Sequence, residues 1–114
     1  MRNLLGGILL FSIAQSIIWI QTNGQFVWPW FKRNPLLVSL FGGTIISYIF
    51  IKGTAMVADY FDGQLWPGRF IGQASGIVIF ASMTFLFLNE GINTKTSVSL
   101  MLAILLLCVQ IFWK

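Results

Sequence analysis

Four long apolar stretches separated by short polar segments make up most of the chain. They cover about residues 4–20, 36–51, 70–88 and 97–113. A bilayer core about 30 Å thick takes roughly 20 apolar residues in a helix, so each stretch is close to the length of one span. The pattern predicts an all-α integral membrane protein, in which residues 1–114 form one domain of four transmembrane helices with short loops.

The first stretch carries a polar face, because Ser12, Gln15, Ser16 and Trp19 fall on one side of a helix. An amide in hydrocarbon is costly without a partner, so this face should point at protein. Gln15 is either a hydrogen bond between helices or a group that faces a substrate, and the sequence leaves both interpretations open. Residues 1–14 also resemble a secretory signal, which is the alternative to a first span.

Small residues recur every four positions in the second and third stretches. They are Ser39, Gly43 and Ser47 in the second stretch, and Gly68, Gly72 and Gly76 in the third. Lipid provides no hydrophobic force between helices, so close backbone approach at small residues is what favours their association. We therefore predict packing faces on helices 2 and 3, at Gly43 and at the three glycines of the third helix.

The end of the third stretch carries a charge that helix stability does not explain. Glu90 is expected near the helix C-terminus, where a negative charge opposes the macrodipole, and Gly91 is expected to cap that helix in the left-handed conformation. Lys95 across the loop either neutralises Glu90, or Glu90 has a role in folding, topology or transport. The candidate N-caps of the last helix are Asn93, Thr94 and Thr96.

Composition supports a lipid-embedded protein and argues against several functions. The 114 residues are 57% hydrophobic and 9% charged, and the mean hydropathy is +0.85. There is no histidine, one cysteine (Cys108) and only three acidic residues, so we expect no catalytic centre, no metal site and no cofactor. The acids Asp59 and Asp62 are expected to pair with Lys52 or Arg69, or else to attract a cationic substrate.

The basic residues are scattered singly, which is typical of topology markers rather than of a nucleic-acid surface. Trp28, Trp30 and Phe31 beside Lys32 and Arg33 likewise favour a membrane-interface anchor over nucleic-acid stacking.

The distribution of basic residues gives almost no orientation bias. Four spans place Arg2, Lys52, Arg69 and Lys114 on one side and Lys32, Arg33 and Lys95 on the other. A chain that inserts both ways can form an antiparallel dimer, in which one sequence supplies both halves of an inverted repeat.

From Trp66 to Lys114, the pattern W...G...GIVIF...FLFLNE followed by a leucine-rich helix resembles the drug/metabolite transporter superfamily, and in particular its four-span small multidrug resistance proteins. Over the first half the resemblance rests only on the number of spans and on Gly6-Gly7. The resemblance implies a dimeric transporter. That family uses a first-helix glutamate that binds proton and cation in turn, whereas this chain has Gln15, which does not titrate. Proton-coupled export by that chemistry is therefore not expected.

Two functional hypotheses remain. The first is a dimeric transporter-like protein for a small neutral, amphipathic or lipid-like solute, with the last helix in the oligomer contact. Its pathway residues would be Ser12, Gln15, Ser47, Tyr48, Gln73 and Ser75. The second is a non-transporting membrane subunit or a phage-type permeabilising or assembly protein. Either would sit in a prokaryotic or phage-encoded inner-membrane setting, with lipid and other membrane subunits or a second copy as partners.

Overall fold

The computed structural model describes residues 1–113, and every regular element in that part of the chain is a helix. The elements are α1 (Arg2–Asn23), a short 3-10 helix (Gly24–Phe26), α2 (Pro29–Arg33), α3 (Pro35–Tyr60), α4 (Trp66–Leu88) and α5 (Thr94–Phe112). The four helices α1, α3, α4 and α5 are long and apolar enough to cross a membrane. The predicted fold class, an all-α protein with four spans, is confirmed.

The helices extend beyond the predicted spans, most clearly in α3. The second span was predicted over about residues 36–51, with the helix end after Lys52 left open, and α3 continues to Tyr60. Lys52 is exposed, and a long side chain can carry its charge along the helix surface towards water. The next residue, Gly53, is buried against α1, so packing keeps this part of the chain helical.

Smaller differences occur at the other helix ends. α1 begins at Arg2 and ends at Asn23, α4 begins at Trp66, and α5 runs from Thr94 to Phe112 rather than over residues 97–113. The interfacial segment after α1 forms the five-residue helix α2, which starts on Pro29, and proline suits the first turn of a helix. This short helix was not predicted.

The turn between α4 and α5 confirms one predicted cap and corrects another. Asn93 caps α5, because its Oδ1 accepts a hydrogen bond from the Thr96 N–H at 2.8 Å. The left-handed residue after α4 is Asn89, with φ of 55°, and the prediction of Gly91 was wrong. Asparagine tolerates this conformation better than most residues. The helix therefore ends before Glu90.

The four spans lie side by side in a flat row in the order α3, α1, α4, α5. α1 packs against both α3 and α4, α5 packs against α4, and α3 and α4 touch each other little. Helices spaced about 9 Å apart make a row roughly 35–40 Å wide, and the molecule measures 46 × 35 × 18 Å. The outer helices α3 and α5 are consequently covered on one side only.

The buried core lies where α1 meets α3 and α4. Its central side chains are Leu4, Phe11, Val57 and Ile71. α1 and α3 approach closely there, because a Cβ at Gly7 would overlap the Cγ2 of Val57 and a Cβ at Gly53 would lie 3.0 Å from the Phe11 ring. The closest backbone approach to α3 therefore uses Gly7 and Gly53.

Candidate substrate groove

A groove of about 430 Å³ runs along the junction of α1, α3 and α4. α1 forms its floor, and the other two helices form its walls. The lining residues are Phe11 and Gln15 from α1, Phe50 and Thr54 from α3, Leu65 before α4, and Gly68, Arg69, Gly72 and Gln73 from α4. The groove thus combines two aromatic rings with two amides, a hydroxyl and one guanidinium.

Gln15 is the polar side chain at the centre of this junction. Its Nε2 donates a hydrogen bond to the backbone carbonyl of Gly72 at 3.3 Å. A Cβ at Gly76 would lie 2.7 Å from the Gln15 amide, so the absence of a side chain at Gly76 is what admits it. Ser75 Oγ donates to the same Gly72 carbonyl at 2.9 Å. The Gly72–Gly76 face of α4 therefore provides the space that the Gln15 side-chain amide of α1 occupies.

Gln15 also lines a second cavity, of about 190 Å³, that lies towards the other end of α1. This cavity is formed with Ile18, Trp19, Thr22 and Asn23 of α1 and with Gly76 and Phe80 of α4. The larger groove contains Leu65 and Arg69, at the start of α4. Since α1 and α4 run in the same direction, with Phe11 near Gly72 and Trp19 bonded to Thr84, the two cavities extend from Gln15 towards opposite ends of the span.

The six predicted pathway residues do not form one site. Gln15 and Gln73 share the large groove. Ser75 is buried and bonds within its own helix, and Ser12 is half-buried, with its carbonyl accepting from Ser16 Oγ.

The remaining two, Ser47 and Tyr48, lie elsewhere, on the outward face of α3. Both are exposed, and they line an open depression together with Ser39, Gly43 and Thr44. The Lys52 ammonium lies 5.8 Å from the centre of the Tyr48 ring. A pathway through α1 and α4 alone does not contain them.

The two predicted small-residue faces have different surroundings. A Cβ at Gly68 or Gly72 would lie 3.7 Å from Val57 or 3.8 Å from Phe11, at ordinary van der Waals distance. A Cβ at Gly43 would meet nothing within 4 Å. The glycine face of α4 is thus covered by side chains of the same chain, whereas the face of α3 is open.

Glu90 lies apart from the large groove. It is exposed and lines a pocket of about 210 Å³ between α4 and α5, together with Phe80, Thr84 and Thr96. Glu90 and the proposed pathway therefore belong to different parts of the molecule.

Sequence reasoning missed several groups that shape the site. Trp19 Nε1 donates a buried hydrogen bond to Thr84 Oγ1 at 2.9 Å, which ties α1 to α4. Trp19 was placed on the polar face, but nothing in the sequence identified Thr84 as its partner. Thr54 and Arg69 also line the groove and were not predicted to do so. Arg69 did carry a signal in the sequence, because a basic residue in the first turn of a helix opposes the macrodipole.

Within residues 1–113, no group of three or more His, Cys, Asp or Glu side chains could hold a metal ion. No family model, curated protein or solved structure matches the chain. The structure shows four helices that are long and apolar enough to span a membrane, which fits an integral membrane protein.

Proposed function

We propose that this chain is a small transporter-like membrane protein that works as a dimer and moves a small neutral, amphipathic or lipid-like solute by alternating access. Its setting would be a prokaryotic or phage-encoded inner membrane. The observation that carries the proposal is the position of Gln15, which lines two cavities that extend towards opposite ends of the span. A polar group between two such cavities is where a midplane binding site would lie.

The chemistry of Gln15 suits a solute without positive charge. A glutamine amide has two donor hydrogens and an acceptor oxygen, so it can bond to hydroxyl, carbonyl or ester groups. It carries no charge that would bind a cation or a coupling proton. The half-buried Phe50 lines the same groove and would contact the apolar part of the solute, while Phe11, which packs against Phe50, belongs to the buried core.

The α1–α4 contact at this point is one that can rearrange. The Gln15–Gly72 hydrogen bond, at 3.3 Å, is longer than the usual 2.7–3.2 Å, so exchanging it for a bond to solute costs little. The bare backbone at Gly72 and Gly76 lets α1 slide past this part of α4, and such sliding also breaks the Trp19–Thr84 hydrogen bond. In a dimer of inverted protomers, such sliding would open the two cavities in turn.

Transport in reconstituted vesicles tests this proposal. With a lipid that carries a fluorescent headgroup label, inner-leaflet label should become accessible to a membrane-impermeant reductant when the protein is present. Gln15→Leu should slow this exchange by about tenfold or more, the equivalent of losing about 1.4 kcal/mol of interaction. Gln21→Leu is the matched control, because Gln21 is also a glutamine of α1 but lies against Gly42 and lines neither cavity.

The alternative is a non-transporting membrane subunit or a phage-type permeabilising or assembly protein, and the open face of α3 favours it. Ser39, Gly43 and Ser47 lie on this exposed face with no covering side chain at Gly43. Wild-type protein that leaves the lipid label protected, with Gln15→Leu indistinguishable from it, would contradict transport and leave the non-transporting subunit or assembly protein.

A further inference from the structure

We propose that the large groove binds an amphiphile with an anionic headgroup, a phosphate or a carboxylate, whose headgroup is held by Arg69. This inference rests on the proposed function, because it names the solute class for the same groove. It is carried by the order of side chains along the groove, which runs from a cation at one end to aromatic and amide groups further in.

Arg69 is at the membrane-surface end of the groove. It is the fourth residue of α4, so at 1.5 Å of rise per residue it lies only about 5 Å from the start of the helix. Gln73 lies one helical turn further in, and Gln15 meets α4 at Gly72. A ligand lying along this line would meet the guanidinium first and the two amides next.

Stability of the fold does not account for an arginine at this position. A positive charge in the first turn of α4 opposes the helix macrodipole. Arg69 is exposed, and no carboxylate of residues 1–113 lies within 4.0 Å of its guanidinium, so the expected pairing with Asp59 or Asp62 does not form. Its planar donor fork matches the oxygens of a phosphate or carboxylate in a bidentate contact.

The rest of the groove selects an amphiphile over a free anion. Phe11 and Phe50 pack against each other with ring centroids 5.5 Å apart, and both line the groove. Leu65 adds a further apolar side chain. Phe11 is itself buried in the core, so the apolar surface open to a ligand comes from the half-buried Phe50 and the exposed Leu65. A free phosphate would contact Arg69 but would leave this surface uncovered, whereas an alkyl chain would cover it.

A bulk-lipid anchor is the competing explanation for Arg69, since basic residues at span ends commonly contact lipid phosphate. Arg2 separates the two explanations. It is an exposed arginine at the end of α1 on the same side of the membrane, and it does not line the groove. A bulk-lipid effect would depend on both arginines, while a site in the groove depends on Arg69.

Binding of tetradecyl phosphate tests the inference, with tetradecanol as the uncharged match and inorganic phosphate as the headgroup alone. Native mass spectrometry of the full chain from neutral-lipid nanodiscs measures the bound fraction. We expect wild-type protein to bind tetradecyl phosphate about tenfold more tightly than tetradecanol, a ratio typical of one charge-assisted contact. Arg69→Gln should remove most of that difference, Arg69→Lys should keep part of it, and Arg2→Gln should leave it unchanged.

Three results would overturn the inference: equal affinity for tetradecanol, equal losses in Arg2→Gln and Arg69→Gln, or displacement of tetradecyl phosphate by inorganic phosphate at the same concentration. The vesicle assay separates this inference from the proposed function. Arg69-dependent binding without lipid exchange would leave the site standing and remove the transporter. Lipid exchange that is unaffected by Arg69→Gln would support the transporter and overturn the Arg69 site.

Discussion

Single polar side chains fix how α1 sits on α4. Gln15 and Trp19 both reach across to α4, one to the Gly72 carbonyl and one to the Thr84 hydroxyl. The polar face of α1 was visible in the sequence, and so was the need for partners in hydrocarbon. The partners themselves were not, because a backbone carbonyl leaves no sequence signal and Thr84 is one of several hydroxyl residues among apolar ones.

At this scale, Thr84→Val should destabilise the protein. Valine keeps the shape of threonine but removes the acceptor for the Trp19 N–H, which is buried, so the loss should be about 1 kcal/mol of unfolding free energy. Unfolding in mixed detergent micelles, followed by circular dichroism, measures it.

Ser82→Ala is the control for Thr84→Val. Ser82 is exposed on the same helix, and its hydroxyl donates to its own helix at the Val78 carbonyl. The two variants should differ clearly in stability. Equal stability would mean that the Trp19–Thr84 hydrogen bond does not hold α1 to α4.

At the scale of helices, the four spans followed from the length of the apolar stretches, while their exact ends and pairings did not. α3 extends past Lys52 because the lysine stem can lie along the helix surface while its ammonium reaches water, and because Gly53 packs against α1. The small-residue pattern located Gly72 and Gly76, but it gave no reason to prefer α1 over α3 as their neighbour. That choice depends on Phe11 and Gln15, whose side chains fill the space that the glycines leave.

The α1–α3 contact gives a second prediction, for alanine substitutions at two glycines. Gly7→Ala should lower the unfolding free energy by about 1–3 kcal/mol, since its Cβ would overlap Val57 and force the helices apart. Gly43→Ala adds a methyl group where nothing lies within 4 Å, so alanine's higher helix propensity should make it neutral or slightly stabilising.

Detergent unfolding of the monomer compares these two variants directly. Their difference should exceed the error of the measurement, with Gly7→Ala the less stable protein. If Gly7→Ala unfolds at the same detergent composition as Gly43→Ala, α1 and α3 do not approach closely at Gly7.

The whole molecule is a flat row of helices, which explains why so much apolar surface remains exposed. At 18 Å thick, it is less than two helix diameters deep. Lipid can cover the leucine-rich faces, but the hydroxyl-bearing face of α3 and the open grooves beside α1 are suited to protein or solute. The sequence could not predict this flat row, since four apolar helices can also form a closed bundle.

A dimer of two such rows in opposite orientations is the assembly that our proposed mechanism requires. The near-balanced basic residues, four on one side against three on the other, permit both orientations. Because two successive spans return the chain to its starting side, the two-span halves of this protein have the same orientation, so in the proposed mechanism the inverted half would come from a second copy.

The most direct test is the orientation of the protein in intact cells, measured with a membrane-impermeant thiol reagent. After Cys108→Ala removes the only native thiol, Gln25→Cys and Gln64→Cys place reporters at exposed positions in the loops at opposite ends of the spans. We predict that each reporter is labelled partly from outside and fully after the membrane is opened. If one reporter is labelled completely from outside and the other not at all, the protein has a single orientation, and the inverted-dimer account is contradicted.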